Sequence, residues 1–69
     1  MILNQEYNFA QIESFANEND YNLEELGNGV IGETFIVLRN NNSDITISFM
    51  LIGASSKNYF YKCIYNDLK

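Results

Sequence analysis

The run Ile45-Thr46-Ile47-Ser48-Phe49-Met50-Leu51-Ile52 constrains the fold more than any other part of the chain. Ile45, Ile47, Phe49 and Leu51 point one way, and Thr46, Ser48 and Met50 the other. A period of two is the mark of a strand with one buried face. A strand needs neighbours, and the flanking sequence offers them. Gly32 to Arg39 contains Phe35-Ile36-Val37-Leu38, which favours a well-buried strand. The turn formers Asn40-Asn41-Asn42-Ser43-Asp44 join it to the first run as a hairpin loop. Gly53 to Asn58 reads as a second loop. Tyr59 to Tyr65 follows as a last strand, with Tyr59, Tyr61, Cys63 and Tyr65 expected on one face and Phe60, Lys62 and Ile64 on the other. Connections this short favour an antiparallel meander.

Upstream the period changes. Phe9, Ile12, Phe15 and Ala16 recur at helical spacing, which predicts an amphipathic helix from Asn8 to about Asn17. Asn8 suits the N-cap, and Gln11 three residues later completes a capping-box pattern. The polar run Asn17-Glu18-Asn19-Asp20 ends it. Two to three turns are unstable alone, so the helix must lie on the sheet. Tyr21 to Leu26 fits a short edge strand or a helical turn, and Gly27-Asn28-Gly29 reads as a turn. The expected fold is α+β: one N-terminal helix packed on a three- to four-stranded antiparallel sheet, with residues 1–69 forming a single small domain. Its expected core is Phe9, Ile12, Phe15, Ile36, Leu38, Ile45, Ile47, Phe49, Leu51 and one face of the last strand.

Composition excludes several functions. A hydrophobic fraction of 46%, with five Phe and five Tyr, argues for a folded domain rather than a disordered one. At 69 residues the core is thin, and self-association would add buried area. The single cysteine, Cys63, rules out an internal disulfide framework. Met1-Ile2-Leu3 is too short for a signal-peptide core, and no apolar run approaches the ~20 residues of a spanning helix, so a cytoplasmic protein with no membrane contact is expected.

Catalysis has little to work with. The chain has no histidine, and therefore no Ser-His or Cys-His couple. Cys63 reads better as a buried structural thiol than as a nucleophile, since adjacent Lys62 points to the opposite strand face. Adjacent Glu24 and Glu25 diverge in any regular structure and make a poor acid-base pair. Without histidine, and with no EF-hand spacing among Asp20, Glu24 and Glu25, no metal site is expected. Gly27-Asn28-Gly29-Val30-Ile31-Gly32 matches G-x-G-x-x-G, but it precedes a strand instead of opening a helix, and Glu24, Glu25 and Glu33 would repel phosphate. A hairpin turn is the better reading. Lys57, Tyr59, Phe60, Tyr61, Lys62 and Tyr65 resemble a base-stacking platform, yet a net charge of −5 opposes direct nucleic-acid binding. No enzyme activity and no cofactor are expected.

Charge remains. Met1 to Leu38 carries Glu6, Glu13, Glu18, Asp20, Glu24, Glu25 and Glu33 and no Lys or Arg. Arg39 to Lys69 carries Arg39, Lys57, Lys62 and Lys69 against Asp44 and Asp67. The two parts therefore hold −7 and +2. One reading is solubility, since charge keeps copies of a small domain apart. The other is a patch of Glu13, Glu18, Asp20, Glu24, Glu25 and Glu33 that docks on a basic protein surface, including one built for nucleic-acid phosphates. The profile (short, acidic, one domain, no catalytic set) is similar to that of small phage- or mobile-element-encoded proteins that bind and inhibit a host protein; the likeness lies in composition and length. The expected function is a non-enzymatic binding protein, an inhibitor or modulator of such a partner. The alternative is a homodimer or larger homo-oligomer, formed through a sheet edge or through Tyr59, Tyr61 and Tyr65 of the aromatic strand.

Overall fold

The computed structural model of the protein describes residues 1–27, 34–55 and 58–67. The elements are β1 (Glu6–Asn8), α1 (Phe9–Glu18), β2 (Tyr21–Gly27), β3 (Thr34–Asn40), β4 (Thr46–Ser55) and β5 (Asn58–Asn66). The strands form one five-stranded antiparallel sheet in the order β1-β5-β4-β3-β2. The class is α+β, as expected, with one more strand than the sequence suggested. β2 through β5 make the meander. β1, three residues long, adds to the far side of β5.

Four antiparallel steps separate β1 from β2, so these two edge strands run parallel. α1 is the crossover between them and must span the sheet. Four strand gaps measure ~19 Å, and ten helical residues rise ~15 Å; the turn residues after the helix complete the crossing. That geometry fixes which sheet face is covered.

Local chemistry sets the helix ends. The Asn8 side chain accepts from the Gln11 N–H at 2.8 Å, and Gln11 Oε1 accepts from the Asn8 N–H at 2.9 Å. This is the reciprocal capping box that the spacing predicts. At the other end the Asn19 N–H donates to the Phe15 carbonyl at 3.0 Å. Asp20 then takes φ 61°, a left-handed conformation that lets the chain reverse into β2.

The core lies between α1 and the sheet. Ile12, Ile36, Leu38, Ile47, Phe49 and Cys63 are fully buried, with Ala16, Tyr21 and Tyr61 close behind. Phe9, Phe15, Ile45 and Leu51, all expected core residues, pack against it partly buried, joined by Met1, Tyr7 and Leu23. Aromatic contacts seal the periphery: Tyr7 meets Phe49 edge-on at 6.1 Å, and Phe15 meets Tyr21 at 5.3 Å.

Two irregularities interrupt the β4–β5 ladder. Ser48 pairs with Tyr65 and Phe49 with Cys63, so Ile64 is an extra residue on β5. Leu51 pairs with Tyr61 and Gly53 with Phe60, so Ile52 is extra on β4. Each bulge shifts the alternation by one residue. The expected loop at Gly53–Asn58 is therefore shorter than its sequence suggests: Gly53, Ala54 and Ser55 continue β4 and pair with Phe60, Tyr59 and Asn58.

Candidate functional site

Pair register assigns each side chain to a face, because residues opposite one another share a side and neighbours along a strand alternate. Phe49, buried beneath α1, marks the helix side. Its partners Ile36 and Cys63 share that side, and Ile36 brings Glu25 with it. Glu24 pairs with Val37 and so projects from the opposite, helix-free face. There Glu24 lies 4.0 Å from Arg39, with both side chains largely exposed.

The expected single acidic patch is thus divided. Glu13 and Glu18 are exposed on α1. Glu25 projects from the sheet on the same side as the helix. Glu24 belongs to the other face, since adjacent strand residues cannot share one. Asp20 sits at the turn between α1 and β2, and its carboxylate is already engaged. Asn41 Nδ2 donates to Oδ1 at 2.9 Å and Asn42 Nδ2 to Oδ2 at 2.7 Å. These bonds hold the Asp20 carboxyl below its ordinary pKa. Asp20 therefore ties the β3–β4 loop to the helix end. Glu33 lies outside the described residues, as does most of the G-x-G-x-x-G match; its Gly27 ends β2, and the segment it opens joins two antiparallel strands.

The cations separate in the opposite sense. Arg39 pairs with Thr46 and Asn22, and Lys62 with Met50 and Glu6, which places both on the helix-free face. Among the described residues, the helix side therefore carries Glu13, Glu18 and Glu25 and no Lys or Arg.

The aromatic strand is divided as well. Tyr59 and Tyr61 lie on the helix side, where Tyr61 is 5% exposed and belongs to the core. Tyr65 faces the other way because Ile64 bulges out. The three tyrosines expected at one oligomer interface thus do not share a surface; Tyr61 is largely buried and shows only an edge to the surface. The Tyr65 hydroxyl donates to Asp67 Oδ1 at 2.6 Å, and that carboxylate holds the phenol above its ordinary pKa.

Beyond the helix N-terminus, Phe9, Glu25, Thr34, Leu51, Tyr59 and Tyr61 line a groove of about 390 Å3. Phe9 and Tyr61 form a tilted aromatic pair at 6.4 Å. Burial, then the negative charge of Glu25, pushes the Tyr61 phenol up, so it stays protonated as a donor. One carboxylate beside aromatic rings suits a cationic side chain, by charge and by cation–π attraction. It does not make an acid-base pair. The residues come from five elements, and no local pattern in the sequence announces their meeting. A second, more open depression along the helix flank is lined by Tyr7, Gln11, Ser14, Phe15 and Glu18 among others.

Cys63 is fully buried, and burial raises its thiol pKa. Its Sγ lies 3.7 Å from the Tyr65 carbonyl. That is the setting of an inert packing residue. Among the described residues, no group of three or more Asp, Glu, Cys or His is placed to hold a metal ion, and no helix is long and apolar enough to cross a membrane.

No protein-family model matches the chain, and no curated protein or solved structure matches it at a significant level.

Proposed function

We propose that this chain is a small non-enzymatic binding protein that docks its helix side on a basic protein surface, of the kind that receives nucleic-acid phosphates, and so inhibits or modulates that partner. The observation that carries the reading is the sorting of charge across the sheet. Glu13, Glu18 and Glu25 lie on the helix side, and Arg39 and Lys62, the described side-chain cations, point away from it. A body with net charge −5 whose cations Arg39 and Lys62 lie on one face, beside Glu24 and Glu6, and whose other side carries Glu13, Glu18 and Glu25, approaches a cationic surface in a preferred orientation. The groove of Phe9, Tyr59, Tyr61 and Glu25 supplies a place for one Lys or Arg side chain of the partner.

The test is affinity capture from source-cell lysate at about 50 mM and about 500 mM salt, since screening weakens exposed charge pairs. The expected result is a basic partner held at low salt and lost at high salt. Glu13→Lys with Glu18→Lys and Glu25→Lys should abolish capture, and Glu24→Lys, on the opposite face, should leave it largely intact. Equal loss from Glu24→Lys, or capture that survives the triple change, would overturn the assignment to the helix side.

A further inference from the structure

We infer that the groove beyond the helix N-terminus is a lysine site: it takes one lysine side chain of a bound protein, with the ammonium held between the Glu25 carboxylate and the Tyr61 hydroxyl oxygen. This rests on the helix-side reading for the source of the lysine, and goes beyond it in naming the side chain and the atoms that receive it.

The register builds the groove. Tyr61 on β5 pairs with Leu51 on β4. Phe35 pairs with Met50, so one step further along the same ladder Thr34 of β3 stands beside Leu51. Glu25 comes from β2, opposite Ile36. From β5 to β2 there are three strand gaps, a span of ~14 Å. Side chains narrow that span from both sides, the Tyr61 ring from β5 and Glu25 from β2. Burial first, and then the charge of Glu25, raise the Tyr61 phenol pKa, so the carboxylate acts on the phenol across the groove. Phe9 closes the helix end, and Tyr59, 54% exposed, forms a rim. The volume of about 390 Å3 lies within the ~300–1,000 Å3 of ligand sites.

One polar group in this wall is left without a partner. Tyr61 is 5% exposed, yet no described residue hydrogen-bonds its hydroxyl. Elsewhere the Tyr7 hydroxyl accepts from the Ile2 N–H at 2.8 Å, and the Tyr65 hydroxyl donates to Asp67. Among the described residues no fully buried side-chain oxygen lacks a partner, so the Tyr61 hydroxyl opens on the groove that the residue lines. A buried tyrosine ordinarily bonds through its hydroxyl. Here the partner enters from outside the chain.

Chemistry selects that partner. The Glu25 carboxylate repels an anion and favours a cation. The rings of Phe9, Tyr59 and Tyr61 attract the same charge, and Leu51 among them suits a methylene stem. The acceptors come from opposite sides, Glu25 from β2 and Tyr61 from β5. The three N–H groups of a lysine ammonium diverge and can serve both. The five N–H groups of a guanidinium lie in one plane and match a single carboxylate edge-on. A trimethylated ammonium has no N–H to give.

The test titrates Nα-acetyl-lysine methylamide into the isotope-labelled full chain and follows backbone amides by NMR. Saturable shifts should centre on Thr34, Leu51 and Tyr61, with a Kd in the millimolar range. The Nε-acetyl, Nε-trimethyl and arginine counterparts should each bind at least about 5-fold more weakly. Glu25→Gln should weaken lysine binding at least about 10-fold, and Glu24→Gln, on the opposite face, should leave it unchanged. Tyr61→Phe should weaken binding about 5-fold while Tm stays within about 2 °C of the parent, because the hydroxyl removed bonds no described residue. No saturable shift at the groove overturns the inference, and so does an Nε-acetyl probe or a Glu25→Gln variant that binds like the parent. An arginine or trimethyl probe that binds as tightly overturns the choice of a lysine ammonium. A Tyr61→Phe variant that binds like the parent overturns the role of the hydroxyl. Lysine binding at the groove with no basic partner captured counts against the helix-side reading alone; partner capture by a chain whose groove binds no lysine overturns this inference alone.

Discussion

Removing one methylene from isoleucines on either side of the burial boundary tests the layer assignment directly. Ile12, Ile36 and Ile47 are each 0% exposed, on α1, β3 and β4, and Ile2 is 63% exposed. A buried methylene is worth ~0.8 kcal/mol in transfer alone, and the small cavity left behind adds to it, giving about 0.5–1.5 kcal/mol for Ile→Val. At Ile2 roughly a third of the side chain leaves water on folding, so the same change costs about 0.3 kcal/mol. A domain of this length holds ~3.5–10 kcal/mol in total, and 1 kcal/mol moves Tm by about 4–8 °C. Ile12→Val, Ile36→Val and Ile47→Val should therefore each lower Tm by several degrees, and Ile2→Val by no more than about two. Urea titration followed by circular dichroism, at fixed protein concentration, checks this, with the midpoint shifting and the slope unchanged. The informative residue is Ile12, because it alone reports whether the helix closes the core. A cost at Ile12 no greater than at Ile2, with Ile36 and Ile47 still costly, would mean that α1 does not lie on the sheet, and the division into a covered and an open face would fail with it.

Two further results follow from the titratable groups. Asp20 is held below its ordinary pKa by Asn41 and Asn42, so the unfolded chain binds its proton more readily than the native one. The stabilisation is present above the unfolded value of 3.8 and is lost as pH falls through the lower native value; Asp20→Asn should flatten the acid limb of a Tm-against-pH curve, and an unchanged limb would show that the clamp contributes nothing. Cys63 is buried, with its thiol pushed up, so a neutral thiol reagent at pH 8 should label the native protein at least about 100-fold more slowly than the urea-unfolded chain. Fast native labelling would place Cys63 at the surface and undo the β5 register.

Features carried by adjacent residues were legible in the sequence; features made by distant ones were not. The helix start was readable because Asn8 and Gln11 are three residues apart and form both capping bonds themselves. β4 was readable because its alternation is long. β1 was invisible: Glu6-Tyr7-Asn8 is too short to show a period and becomes a strand only because the β5 edge is free to pair with it. Tyr65 went to the wrong face because the alternation was carried unbroken through Ile64, where the chain bulges. The role of Asp20 depends on Asn41 and Asn42, 21 and 22 residues away. The division of Glu24 from Glu25, by contrast, was latent in the sequence. Adjacent residues part company on any strand, and only the choice between strand and helical turn for Tyr21–Leu26 hid which face each would take.

Salt separates the helix-side reading from the one in which the acidic residues serve only solubility. It screens the attraction between Glu13, Glu18 and Glu25 and a basic surface, so raising salt should release a partner held by those carboxylates in proportion to the number of pairs it makes. Glu13→Gln, Glu18→Gln and Glu25→Gln should each reduce that salt dependence, and Glu24→Gln, on the opposite face, should leave it unchanged. Where the charge of −5 serves only solubility, there would be no partner to lose.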